Sequence, residues 1–183
     1  SSYVYVGYPT SYISVHARGS MSHLNIKSNS GLLSYSWGMS VNSAGNKLII
    51  ADHSKNRVTE FTVSGTSISY SQATSASWSS SDGYFKRPTD AAYDSSGNIY
   101  ALDLFGNRIQ KFNSSLTYQA KTGTWSTSAG FRYPYGMHID SSDNIYVTDF
   151  YNYAVRKYDT SLTETATTDA NSYYTAQLEI GLA

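Results

Sequence analysis

The chain has no cysteine among its 183 residues. A disulfide framework, a thiol nucleophile and a Cys-ligated zinc site are therefore excluded. Charge is also scarce: Asp, Glu, Lys and Arg make up 14% of the chain, against roughly a quarter in an average globular domain. The 13 basic residues are cancelled by 13 acidic ones. A protein that neutralises phosphates should be basic, so no nucleic-acid partner is expected. No stretch approaches the roughly 18 consecutive apolar residues of a membrane helix, and no membrane span is expected. What the chain does have is aromatics: 18 Tyr, 6 Phe and 3 Trp. That content argues against disorder. The length suits one domain with a substantial core. A surface rich in Ser, Thr, Tyr and Asn and poor in Lys and Glu reads as extracellular or cell-surface. The start at Ser1-Ser2, without Met, reads as a processed or trimmed product.

Three segments of the chain align with one another. They are WGMSVNSAGNKLIIADHSKNRVTEF (37–61), PTDAAYDSSGNIYALDLFGNRIQKF (88–112) and PYGMHIDSSDNIYVTDFYNYAVRKY (134–158). Asp52, Asp103 and Asp149 mark one column, 51 and 46 residues apart. That period belongs to propellers and is too long for leucine-rich or ankyrin repeats. Met39/Val41, Ala91/Tyr93 and Met137/Ile139 alternate as in a strand. Tight turns follow at 42–46, 94–98 and 140–144, where Gly45, Gly97 and Asp143 suit a left-handed backbone. Leu48–Ile50, Ile99–Ala101 and Ile145–Val147 form the second strands, and Arg57–Phe61 and its counterparts the third. Fourth strands are predicted over 67–73, 116–121 and 162–167. No sustained helical period of apolar residues occurs. The fold class expected is all-β: a small β-propeller of four-stranded antiparallel blades.

The pattern P-x-G-M-x-I-D-x-x-x-N-I-Y-V-x-D-x-x-N-x-x-V-x-K-Y resembles the NHL repeat. Residues 134–158 match it best, and residues 88–112 keep Pro88, Gly97-Asn98, Asp103, Asn107-Arg108 and Lys111-Phe112. The first copy departs at Trp37, where proline is expected. The third has Tyr153-Ala154 in place of the Asn-Arg pair. The resemblance covers less than half of the chain. It implies a propeller, and a function among binding platforms, surface proteins and a few lyases.

Residues 3–6, 12–15 and 24–26 read as the second, third and fourth strands of a unit lacking its first strand. Tyr174–Ile180 could supply that strand, with Leu178-Glu-Ile180 in the column of Met137-His-Ile139. The expectation is one domain over 1–183 with four blades: 1–30 plus 174–183, 33–73, 85–121 and 131–167. Pairing of the two ends would remove exposed sheet edges. Two alternatives stand beside closure. The C-terminal strand could enter a neighbouring subunit, or the chain could be part of a larger ring, since NHL-like propellers usually have six blades.

The recurrent Asp52, Asp103 and Asp149 read as corner acceptors for turn N–H groups, with Arg57 and Arg108 reaching back to them. Asp149 keeps a cation only if Arg156 substitutes for the missing Arg. The Asp94 and Asp140 turns offer too few oxygens for calcium. Lyases among such propellers gather histidines around the central channel. Here that column reads Ser40, Ala92, His138 and, by the proposed closure, Glu179, which cannot make a three-ligand zinc site. His16, His23 and His53 lie outside it. No nucleophile elbow, P-loop or dinucleotide fingerprint is present. No catalytic residue, metal site or cofactor is expected. Asn113-Ser-Ser115 is a single glycosylation sequon.

The aromatic residues carry the remaining signal. Strand tyrosines suit packing between blades. Phe150, Tyr151 and Tyr153 fall between the second and third strands, where side chains reach a propeller face, and Trp78 and Trp125 lie in the links. The site predicted for a partner is Phe150, Tyr151, Tyr153 and His138, and the partner a protein or glycan. The expected function is an extracellular, non-enzymatic binding module. The alternatives are a filament or surface-layer subunit assembled by strand exchange, and a lyase using the central channel.

Overall fold

The structure, a computed structural model, describes residues 3–7, 12–28, 31–127 and 130–168. Three four-stranded antiparallel sheets repeat along the chain. They are β4 (Ser36–Val41) to β7 (Ser67–Ala73), β8 (Pro88–Tyr93) to β11 (Tyr118–Thr122), and β12 (Pro134–Ile139) to β15 (Glu164–Thr167). Within them β5 is Lys47–Asp52, β6 Arg57–Ser64, β9 Ile99–Asp103, β10 Arg108–Phe112, β13 Ile145–Asp149 and β14 Ala154–Tyr158. A fourth sheet has three strands, β1 (Tyr3–Gly7), β2 (Tyr12–Ala17) and β3 (His23–Ser28), in that order.

Each apolar second strand is buried on both faces. Leu48 and Ile50 pack with Ile13, Val15 and Phe61, on the side of the β1–β3 sheet. Ile49, between them, packs on the other side with Phe85, Ala91, Ile99 and Phe112. Tyr100 and Leu102 then face Phe131, Ile145 and Val147 of the following sheet. A strand sandwiched between two neighbours needs an unbroken apolar run, which explains Leu48-Ile-Ile50. Full burial of each such side chain contributes about 1.5–3 kcal/mol.

Strand β8 packs on β4 and β5, and β12 packs on β8 and β9. Each innermost strand thus rests on the first two strands of the preceding sheet. Strand β4 meets β1, which gives β1 the place of a second strand. Among the described residues β1 pairs only with β2. The segment 174–180, expected to fill the innermost place, lies outside the described residues.

Two details of the repeat differ from expectation. Ser36, not Trp37, stands in the proline column, because Ser36 pairs with Asp52 as Pro88 does with Asp103 and Pro134 with Asp149. Strand β5 carries one more residue than β9 or β13, and this moves the first copy by one position. The fourth strand of the first copy spans 67–73 as predicted, and the other two start two residues later, at Tyr118 and Glu164. Leu116 and Leu162 sit at φ 55° and 64° in tight turns. The Asn113 and Asp159 side chains close those turns by accepting two backbone N–H bonds each. Both leucines at the expected strand starts therefore belong to turns.

The hairpins between first and second strands hold themselves by the same means. Asp94 Oδ1 accepts from Ser96 N at 3.0 Å and Asn98 N at 2.8 Å, and Asp140 Oδ1 from Ser142 N and Asn144 N at 2.9 Å. Donation from the Asn144 side chain and backbone holds the Asp140 carboxyl at about 2. The turn's own donors saturate these oxygens.

Candidate functional site

The pairs Ser36–Asp52, Pro88–Asp103 and Pro134–Asp149 bring two kinds of loop to one end of the sheets. These are the links before the innermost strands and the short 3-10 turns after the second strands. The recurrent carboxylates organise this end from within. None of the three is exposed. Asp103 Oδ1 accepts from Lys86 N at 2.7 Å, Asp149 Oδ1 from Arg132 N at 2.7 Å, and Asp52 Oδ1 from Ser34 N at 3.2 Å. Each Asp therefore clamps the link of its own blade.

The guanidinium partners differ from blade to blade. Arg108 Nε donates to Asp103 Oδ2 at 2.9 Å, and its other nitrogens reach the Ser80, Ser81 and Tyr84 carbonyls. In the third copy Arg156 does substitute for the missing Arg, with Nε 2.8 Å from Asp149 Oδ2. In the first, Arg57 turns to the Leu32 carbonyl and leaves its Nε 3.8 Å from Asp52 Oδ2. Burial pushes the Asp52 and Asp103 carboxyls up, against the pull of backbone donors and the nearby guanidinium. The Asn of the repeat latches neighbouring blades. Asn56 Oδ1 accepts from Arg87 N at 3.1 Å, and Asn107 Oδ1 from Tyr133 N at 2.9 Å.

Above these clamps lies a continuous run of aromatic rings. It passes from Trp37 to Tyr135 (5.1 Å between centroids), Phe150 (5.8 Å), Tyr151 (5.0 Å), Tyr133 (5.3 Å), Phe105 (5.5 Å) and Trp78 (5.7 Å). The run crosses three blades. Three of the six contacts are edge-to-face, at 66° to 90°, a geometry that aromatic quadrupoles favour, and the other three are tilted by 36° to 42°. Phe150, Tyr151 and Tyr135 remain 42%, 46% and 47% exposed, and Trp78 54%. Trp37 is stacked on the buried His53 ring at 4.0 Å. Burial lowers the His53 pKa, so this platform is a neutral imidazole at pH 7. Arg87 lies 5.8 Å from the Phe105 centroid and Arg132 5.4 Å from that of Tyr151.

Three of these positions are backbone-strained. Arg87, Tyr133 and Tyr153 adopt φ of 60°, 56° and 52°. That region suits Gly or Asn, and Asn56 and Asn107 occupy the Tyr153 column in the other copies. Tyr153 is 41% exposed. The same left-handed φ at Asn56 and Tyr153 ends the 3-10 turn of its blade.

His138 is elsewhere. It lines a central cavity of about 320 Å³ with Ser40, Ala92, Met137 and Asp90. Glu179 lies outside the described residues, and among the described residues no group of three potential metal ligands occurs. Asp90 is a residue the sequence reading missed. It stands in the column of Gly38 and Gly136. Its Oδ1 accepts from Ala91 N at 2.8 Å and its Oδ2 from Met137 N of the next blade at 2.9 Å. A Cβ at Gly38 would overlap its carboxylate, so glycine there makes room for it. The cavity wall desolvates Asp90 and lifts its pKa to about 7.

Four blade-like antiparallel sheets packed face to face, with the innermost strands β4, β8 and β12 along a central cavity, define a β-propeller. Among solved structures the chain is similar to one described as the crystal structure of RRP9 WD40 repeats. The TM-score is 0.70 at 12% identity, over 89% of this chain and 46% of that one. The chain thus spans about half the length of that neighbour, and the likeness concerns the fold. No protein-family model matches the chain, and no curated protein matches it.

Proposed function

We propose that this chain is an NHL-like propeller acting as an extracellular, non-enzymatic interaction module, and that it binds a protein partner through the aromatic end. One observation carries the reading: the ring run across three blades, whose Trp78, Phe105, Tyr135, Phe150 and Tyr151 stay open to solvent. Tyr, Trp and Arg are the residues that dominate protein interfaces. The repeat columns support the NHL likeness, and the composition supports the extracellular setting. The non-enzymatic reading rests on the carboxylates, since Asp52, Asp103, Asp149, Asp94 and Asp140 are all engaged in holding turns and links.

The test combines Tyr151→Ser with Tyr153→Asn, the residue that the other copies carry in that column. We expect the melting temperature to shift by no more than about 2–4 °C. Binding of peptides selected on the wild-type protein should fall at least about tenfold. A large fall in melting temperature would assign the two rings to the core instead.

A second reading, assembly by strand exchange, is favoured by the β1 edge. A cavity of about 270 Å³ runs beside it, lined by Tyr3, Val4 and Tyr5 of β1 and by Met39, Ser40 and Val41 of β4. An added strand, from this chain's C-terminal segment or a neighbour's, would satisfy that edge. A chain ending at residue 170 is expected to lose cooperative melting or to self-associate. Sedimentation showing a folded monomer would remove both versions.

A further inference from the structure

We infer that the partner of the aromatic end is an acidic protein segment, one in which carboxylates flank an apolar anchor. The inference rests on the interaction reading above and adds to it the chemistry of the partner. The carboxylates at this end are unavailable to solvent: Asp52, Asp103 and Asp149 have no exposure. Asp82 is exposed, but Lys121 holds it and Arg108 lies 3.9 Å away. The cations are arranged in the opposite way. Lys86, Arg87 and Arg132, in the links before β8 and β12, form no ion pair among the described residues. An arginine lying over a ring keeps the donor edge of its guanidinium free, and that edge fits a carboxylate in a two-bond fork. The face therefore offers apolar area with unpaired positive charge, although the whole chain is neutral.

The ring geometry selects protein over the other anionic polymers. Nucleotide bases stack on separate open platforms along a strand. Here adjacent centroids are only 5.0–5.8 Å apart and no two neighbours are parallel, so the rings close on one another. They present one ridged surface, suited to side chains of irregular shape, and no flat run for a sugar chain.

The experiment is selection of random twelve-residue peptides on the full chain, followed by affinity measurement of the enriched sequences. Asp and Glu should be enriched beside apolar residues. Affinity should fall at least about tenfold on replacing the peptide carboxylates by amides, and again between about 50 and 300 mM salt. Arg87→Glu and Arg132→Glu should each weaken binding at least about tenfold, and peptides with Lys for Glu should restore it. Three results overturn the inference: enriched peptides without negative charge, binding indifferent to both charge reversals, or displacement of the peptides by oligothymidylate or a sulfated polysaccharide. Neutral peptides lost on Tyr151→Ser would leave the interaction face standing and remove only the acidic partner. No enriched peptide at all would remove both.

Discussion

Asp103→Ala is expected to cost about 3–5 kcal/mol of stability, the range for removing one partner of a buried ion pair. The carboxylate holds the Lys86 and Gly106 N–H groups and the Arg108 guanidinium together. Its loss leaves Arg108, itself 4% exposed, with carbonyl acceptors and only the exposed Asp82, 3.9 Å away and already held by Lys121, as counter-charge. At about 2–4 °C per kcal/mol for a chain of this size, the melting temperature should fall by about 6–20 °C. Asp103→Ala combined with Arg108→Leu should recover part of the loss, because no charge is then stranded. Asp52→Asn should cost clearly less, since Arg57 stands off at 3.8 Å and an amide oxygen can still accept from Ser34. Equal losses at the two sites in thermal melts would refute the assignment of the pair as the difference between the blades.

The second large effect is a pH dependence centred on Asp90. Its folded-state pKa, about 7, lies above the roughly 3.9 of an unfolded chain. Between these values the native state holds a proton that the unfolded state has released. Stability from this group is therefore full below about pH 4, falls as pH rises to about 7, and is level beyond. At 1.36 kcal/mol per unit, the loss amounts to at most about 4 kcal/mol. Asp90→Asn keeps an oxygen for the Met137 N–H and carries no charge. Wild type minus variant, measured by denaturant unfolding from pH 4 to 8, should follow this curve. The background titrations of Asp52, Asp103 and His53 cancel in that difference. A difference that does not change with pH would show that the Asp90 carboxyl titrates normally.

Much of the fold was legible because period-two alternation, turn residues and the recurring Asp are local signals. Met137/Ile139, Gly97 and Asp149 needed no partner to be read. The aromatic site was half legible. Phe150, Tyr151 and Tyr153 could be placed on a loop, but their joining to Trp37, Phe105 and Trp78 depends on residues as far apart as 37 and 135. Asp90 was hidden for a different reason. The columns of Met39, Ala91 and Met137 already set Asp90 between Gly38 and Gly136, but its role depends on a contact between blades, the Met137 N–H that it accepts.

By itself the sequence determined the strands, their turns, the repeat and the composition of an uncharged, tyrosine-rich blade, because these follow from neighbours within a few residues. Tertiary structure decided which arginine pairs with which aspartate, as when Arg156 replaces a partner lost two positions earlier. It also decided that the carboxylates of one end turn inward while rings and unpaired guanidiniums stay outside. Those outcomes arise from contacts between blades, where distance along the chain says nothing about distance in space.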